Sequence, residues 1–555
     1  MTPASSTTND NNSQISEKQV TSTVEFLAES FKQMGTPFIV GHPGGESVEL
    51  MEAARQRDMR FILMKQEVAG AMLASTWGEI TGAPGVCLST RGPGAANMVN
   101  GIAHALLDRA PLIALTDRYA PGPQEIGLRQ RIDQKAMIAP LVKWSTTLDA
   151  CVGGQQMKRA VRTATSIAPG PVHIDVPQNE TTKEAGPGSD ATALYLNQIA
   201  ITPDDQCLKD LSARIKAANH PVILMGLGVY WDKASDELVK FAEHLGAPVL
   251  TTSKTKGAIP ENHPLRAGCI IGGLIERKLV MQSDLIITIG VDAVELQPKP
   301  WPYDIRTVAL VNTPSNDGFI PAEFEAVGNL GILMSCLREQ VPEKQAWGLD
   351  AAKQFRQEVR DALDTPATGF PPQRVMEVAR AALPRDTIAT CDAGASRLLV
   401  VQKWESYGPR EFLTSNGLGS MGFAIPGALA AKLAHPQRPV VAFTGDGGAM
   451  MAIAEIQTAV KENLPIIVVV FDDQEIGLIR VKQALKKIPR HGVAIGGVDW
   501  GALANSMGAE GTNVSTEAGL QDAIKVALAS RKTTIIGVQI DPSGYVDQFN
   551  ALREL

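Results

Sequence analysis

The chain has 555 residues, of which 44% are hydrophobic and 20% charged, with a formal net charge of −7 at pH 7. That length suggests about three or four domains with sizeable cores, and the acidic balance argues against a nucleic-acid partner. No apolar run reaches membrane-spanning length, which argues against a membrane partner, and six scattered cysteines without a Cys-x-x-Cys pair fit a reducing cytoplasm better than a disulfide scaffold or zinc site.

The opening MTPASSTTNDNNSQIS (1–16) is polar and lacks a basic-then-apolar signal pattern, so it reads as a disordered tail of a cytoplasmic protein. From 17 to 185 helix-like and strand-like segments alternate. QVTSTVEFLAESFKQMG is an amphipathic helix stopped by glycine, and TPFIVGHPGG is a strand entering a glycine-rich turn. RFILM, PGVCLST, PLIALT and PVHIDVP are buried-type strands, with QEVAGAMLASTWGEITG a helix between the first two. A loose stretch follows, and a second α/β unit spans 201–341, with PVILMGLG, a helix over 234–245, PVLTT, DLIITIG and TVALVN. Its Gly226-Leu-Gly228 turn lacks the third glycine of a dinucleotide fingerprint and reads as tight-turn packing. A break runs from Pro342 through the FPP at 370–372, and a third unit fills 372–555. The sum is an α/β protein of three doubly wound domains. The first and third are similar in size and alternation, without an aligned repeat.

The chemistry concentrates in VVAFTGDGGAMMAIAEIQTAVKENLPIIVVVFDDQEIGLIRVK, Val440–Lys482. Two β-branched runs bracket a helical segment, and a βαβ unit has parallel strands that end on one sheet edge. Asp446 and Asp473 follow the two strands, so the spacing brings them together where open α/β sheets bind ligands. Glycines there admit a phosphate, and paired carboxylates suit a hard cation, most simply Mg²⁺.

The spacing from Gly-Asp-Gly to FDDQEIG resembles the diphosphate-binding motif of thiamine-diphosphate enzymes. GHPGGESVEL, MKQEVAGAMLA and CLSTRGPGAANMVNGIAHALLDRAPLIALT resemble that family's first domain. IDQKAMIAPLVKWS, GPVHIDVP, TSNGLGSMGFAIPGALAAKLA and DPSGY look like its acetolactate-synthase branch. The resemblance covers nearly the whole chain after Glu17. It implies pyrimidine-binding, central and diphosphate-binding domains, with thiamine diphosphate and Mg²⁺ held between two subunits of a homodimer or homotetramer. By resemblance Asp446 and Asp473 are side-chain metal ligands, and Glu475 stands at the position giving a backbone carbonyl. Gly445, Gly447 and Gly448 form the diphosphate turn, and Met421 props the bent cofactor. Glu67 hydrogen-bonds the aminopyrimidine.

Gln130 aligns with a glutamine near the reactive centre, with a solvated loop amide as the alternative. His42 lies on a loop that reaches the substrate side, where a histidine would move protons at neutral pH; a packed or solvated loop histidine is the alternative. Arg480 and Lys482 open a basic run that either attracts an anionic substrate or forms a solvated helix face. Lys482 stands where biosynthetic acetolactate synthases carry a tryptophan, and no flavin fingerprint is found, so FAD is not expected. Gln66 and Asp472 replace the frequent histidine and asparagine of the family, and Asp472 has no role in this reading. The implied reaction is decarboxylation of a 2-oxo acid with ligation to a second carbonyl, an aldehyde or ketone. The rivals are a non-ligating decarboxylase or C–C bond lyase, a flavin-dependent oxidase, and a catalytically silent regulatory or structural subunit.

Overall fold

Three six-stranded, wholly parallel sheets form in chain order, each from buried β-branched runs separated by helices. The computed structural model describes residues 22–122, 127–191, 201–315, 318–345 and 347–553; the tail read over 1–16 and most of the stretch between the first two units lie outside the described residues.

The first sheet comprises β1 (Phe38–His42), β2 (Arg60–Leu63), β3 (Gly85–Ser89), β4 (Leu112–Arg118), β5 (Trp144–Thr147) and β6 (Pro171–Pro177), in the order β2-β1-β3-β4-β6-β5. The second holds β7 (Pro221–Met225), β8 (Val249–Thr251), β9 (Arg266–Cys269), β10 (Leu285–Ile289), β11 (Thr307–Val311) and β12 (Phe324–Val327), in the order β12-β11-β10-β7-β8-β9. The third holds β13 (Ile388–Cys391), β14 (Phe412–Thr414), β15 (Val440–Gly445), β16 (Ile467–Asp472), β17 (Glu510–Val514) and β18 (Thr534–Gln539), in the order β14-β13-β15-β16-β18-β17. The first and third sheets therefore share one topology, a repeat that the residues themselves do not display.

Local chemistry fixes the helix ends. Ser22 caps the helix Thr23–Gln33 in a capping box with Glu25, and Gly82 closes Glu67–Thr81 in the left-handed conformation. The stretch read as a break after Pro342 is different from that reading. It carries the helix Gly348–Leu363, whose Ala352, Phe355, Val359 and Leu363 pack into the core shared by the central and third domains. The segment after β15 is two short helices, Asp446–Ala452 and Glu455–Lys461, rather than one. Strands β5, β9, β12 and β17 were not marked by the apolar pattern; β5 and β17 border their sheets and are only half-buried.

One core joins the third domain to the central domain and another joins it to the first. Where all three meet, Lys254 of the central domain is 2% exposed and bonds Glu79 (2.8 Å) and Asp108 (3.3 Å) of the first domain and the Thr414 carbonyl (3.2 Å) of the third. A buried cation of this kind is tolerated because its donors are matched.

Candidate active site

β15 and β16 pair in parallel register, with Gly445 opposite Phe471, so Asp446 and Asp473 leave the sheet on the same edge. Asp446 starts a helix, and its Oδ1 accepts from the Gly447 N–H at 2.7 Å. Its Oδ2 is buried without a hydrogen-bond partner. Asp473 Oδ1 accepts from the Glu475 N–H at 3.2 Å across Gln474, whose φ of 59° is the strained left-handed conformation. Burial pushes the Asp446 carboxyl up to about 6, and Asp472 adds to this while backbone N–H groups of Gly447, Gln474 and Glu475 oppose it. Burial and then the neighbouring Asp446 push Asp473 up to about 7. The buried phenol of Tyr545 backs both carboxylates and is held protonated by burial and by their charge.

Such a pair is poised for a cation. Among the described residues no three His, Cys, Asp or Glu side chains surround one point. Two carboxylates, a backbone oxygen, water and phosphate oxygens are the donor set that a small hard cation accepts. The orphaned Asp446 Oδ2 fits that group, and so does the cradle beside it. A Cβ on Gly445 would meet nothing within 4 Å, whereas one on Gly447 would stand 3.1 Å from Ile476 and 3.3 Å from Met421 Cε. A Cβ on Gly448 would lie 2.5 Å from Asp392 Oδ2, which only glycine avoids.

Asp392, at the end of β13, went unassigned in the sequence. Its carboxylate accepts from Gly422 N–H (3.0 Å), Phe423 N–H (3.0 Å) and the Thr444 hydroxyl (2.9 Å). It thereby fastens the loop carrying Met421 to β15. Burial pushes this carboxyl up to about 6, with those three donors opposing. Asp472 also gains an account: its Oδ2 accepts from the buried Trp500 indole N–H at 3.1 Å.

The first sheet presents Glu67 and His42 at its own carboxyl edge. Glu67 is the first residue of its helix, and its Oε2 accepts from Asn97 Nδ2 at 2.8 Å. Gly94 approaches the other oxygen, with a Cβ there 3.2 Å from Oε1. The RGPGAAN stretch thus serves as the backing of Glu67. Asn97 was also missed, because an asparagine within a glycine-rich turn carries no mark of its partner. Glu455 of the third domain accepts from the Lys65 and Gln66 N–H groups at 3.0 Å, anchoring the chain just ahead of Glu67. Farther along the helix Pro93–Leu107, Asn100 accepts from Ser420, next to Met421, at 2.9 Å.

His42 ends β1 with an exposed ring whose Nδ1 lies 3.1 Å from the Met64 carbonyl. A carbonyl only accepts, so Nδ1 carries the proton and Nε2 is the free nitrogen. Gln130 is exposed, has a φ of 57°, and its carbonyl rests on Gly92. Glu475 pairs its side chain with Arg490, and its backbone N–H donates to Asp473. Arg480 and Lys482 lie on the helix Gly477–Leu485, half-buried and exposed respectively. No bond ties Lys482's side chain to the aspartate edge.

The first and third sheets thus share one strand order, and the third carries paired carboxylates beside a glycine turn at its carboxyl edge. Residues 21–137, 208–337 and 392–538 match the N-terminal TPP-binding, central and C-terminal TPP-binding domains of the thiamine pyrophosphate (thiamine diphosphate) enzymes. The chain belongs to that family and is a thiamine-diphosphate-dependent enzyme of the lyase or transferase class. Within it the chain is acetolactate-synthase-like. It is 28% identical to a probable acetolactate synthase large subunit of Methanococcus aeolicus, over 94% of this chain and 92% of that protein. It is 29% identical to the corresponding protein of Methanocaldococcus jannaschii, over 94% and 92%. In fold it is similar to a thiamine diphosphate-dependent 4-hydroxybenzoylformate decarboxylase of Rhodococcus jostii RHA1 (TM-score 0.83, 23% identity, 94% of this chain and 99% of that one).

Proposed function

We propose that the protein decarboxylates a 2-oxo acid and ligates the resulting acyl carbanion equivalent to a second carbonyl, in a thiamine-diphosphate- and Mg²⁺-dependent reaction. The observation that carries this reading is the Asp446–Asp473 pair, with one buried carboxylate oxygen lacking any partner beside an open glycine turn. The similarity to acetolactate synthase large subunits supports the ligating outcome.

Asp446 and Asp473 would hold Mg²⁺ with the Glu475 backbone carbonyl, and Gly445, Gly447 and Gly448 would admit the diphosphate. Met421, packed toward Gly447 and fixed through Asp392, would support the bound cofactor's bend. Bound there, thiamine diphosphate supplies a carbon nucleophile and an electron sink. Glu67, oriented by Asn97, would hold a proton at the aminopyrimidine ring, and its half-exposed position leaves it free to exchange one. His42 Nε2 and Gln130 stand on the same edge as Glu67 and would serve proton movement and substrate orientation. Arg480 and Lys482 would attract the substrate carboxylate.

The site is completed between two copies of the chain in this reading. Exposed apolar side chains support it: Leu128 and Ile132 on the first domain, and Met450, Met451 and Ile479 on the third, are between 43% and 84% exposed. Calorimetry with thiamine diphosphate, with Mg²⁺ or with chelator, tests the cofactor half. Absence of binding in Mg²⁺ would favour a catalytically silent subunit.

A further inference from the structure

We propose that the central domain holds a dinucleotide-type site whose phosphate position is occupied by the chain's own Glu295, so that this domain takes no nucleotide and works as a clamp among the three domains. The inference stands independently of the reaction assigned above.

Read outward from β7, the central sheet runs β9-β8-β7-β10-β11-β12, the 3-2-1-4-5-6 order of dinucleotide-binding folds. Its switch point lies between the carboxyl ends of β7 and β10, where such folds place a pyrophosphate on a glycine turn. The turn is present as Gly226-Leu227-Gly228, but the third glycine position holds Trp231. The Leu227 N–H, which would face a phosphate, donates instead to Glu295 Oε2 at 2.9 Å, and the Asp292 N–H donates to the same oxygen at 3.0 Å. Thr252, directly after β8 where such folds carry the ribose-binding acid, donates its hydroxyl to the other carboxyl oxygen.

The space is filled as well as the donors. A Cβ on Gly226 would lie 2.3 Å from Glu295 Oε2, and one on Gly228 would lie 2.1 Å from Asn312 Oδ1. Asn312 is fixed in turn, donating to Asp232 (2.6 Å) and to the Gly228 carbonyl (3.2 Å). Glycine here serves close packing of the chain on itself, and an added phosphate would meet an acidic side chain in a dry crevice.

The same turn, Asp292–Glu295, faces outward to both catalytic domains. Arg109 of the first domain binds Asp292 with two N–H groups, at 2.7 and 3.1 Å. Asn416 of the third domain donates to the Glu295 carbonyl at 3.0 Å, and its own N–H donates to Asp108 at 2.8 Å. Glu295 thus holds from inside a turn that the first and third domains grip from outside.

The test is calorimetric titration of the holoenzyme with ADP and with FAD, in wild type, Glu295→Ala and Glu295→Gln. Wild type is expected to take neither ligand at millimolar concentration. Glu295→Ala, which frees the Leu227 and Asp292 N–H groups, is expected to gain ADP binding by at least roughly tenfold and to melt at lower temperature. Glu295→Gln retains the volume and an acceptor oxygen, so it should fold and still take no ADP. Micromolar ADP or FAD binding by wild type or by Glu295→Gln would overturn the inference, whether or not the alanine variant folds. A folded Glu295→Ala protein that binds no more ADP than wild type would overturn it too.

Discussion

Replacing Asp392 by alanine probes how the third domain positions Met421. The substitution leaves the Gly422 and Phe423 N–H groups buried without acceptors, while the Thr444 hydroxyl retains the Gly445 carbonyl at 3.0 Å. Two stranded donors cost about 2–6 kcal/mol together. Against this, burial raises the wild-type carboxyl from its ordinary value of 3.8 to about 6, so keeping it charged at neutral pH costs on the order of 3 kcal/mol. The net change at pH 7 therefore lies between about 1 kcal/mol of gain and about 3 kcal/mol of loss, the loss reaching roughly 10 °C in the melting of a domain this size. A carboxyl raised on folding gives stability that is complete below its unfolded value and lost as pH rises through about 6. The deficit of Asp392→Ala relative to wild type should thus widen from pH 7 down to pH 4. Differential scanning calorimetry of the apoprotein at several pH values reads this directly, and thiamine diphosphate titration should show weakened binding from the loosened Met421 loop. A deficit that narrows on acidification, with cofactor affinity unchanged, would refute the role given to Asp392.

Glu67→Gln should fold as wild type, because Asn97 still finds an acceptor, and should lower turnover by about 10²–10⁴; steady-state rates at wild-type level would remove Glu67 from the site. Asp446→Ala and Asp473→Ala should each weaken thiamine diphosphate binding in Mg²⁺ by roughly tenfold or more, read by calorimetry, and chelator should then have little further effect. Lys482→Ala should raise the apparent KM for the 2-oxo acid with little change in kcat; unchanged KM for every acidic substrate would mark Lys482 as a solvated face.

The sequence made the parallel α/β architecture legible because buried strands are written as β-branched runs ending in glycine turns. Asp446 and Asp473 were legible for the same reason, since each follows such a run and parallel strands end on one edge. Asp392 was not. It too follows a strand, yet its partners are backbone N–H groups of a loop some thirty residues on, which leave no side-chain mark. Asn97 and Glu455 were hidden similarly, as their partners are Glu67 and the amides before it, distant in sequence or in the backbone. The helix Gly348–Leu363 escaped notice because prolines on both sides drew attention to a break, although Phe355, Val359 and Leu363 keep helical spacing and are buried. The shared strand order of the first and third sheets requires only the same alternation of segments, so it survives without recognisable residue identity. Glu295 illustrates the reverse case: the two glycines were read as packing, and the structure supplies the carboxyl they pack against.

The most direct test of the proposed chemistry is product identification. Holoenzyme loaded with thiamine diphosphate and Mg²⁺ is incubated with a panel of 2-oxo acids, with and without aldehyde acceptors, and the products are identified by NMR. The proposed function predicts loss of CO₂ and a new carbon–carbon bond, giving 2-hydroxy-ketone products from at least one donor–acceptor pair. Aldehyde as the sole product with every pair, or no turnover of any acid by cofactor-loaded protein, would contradict it.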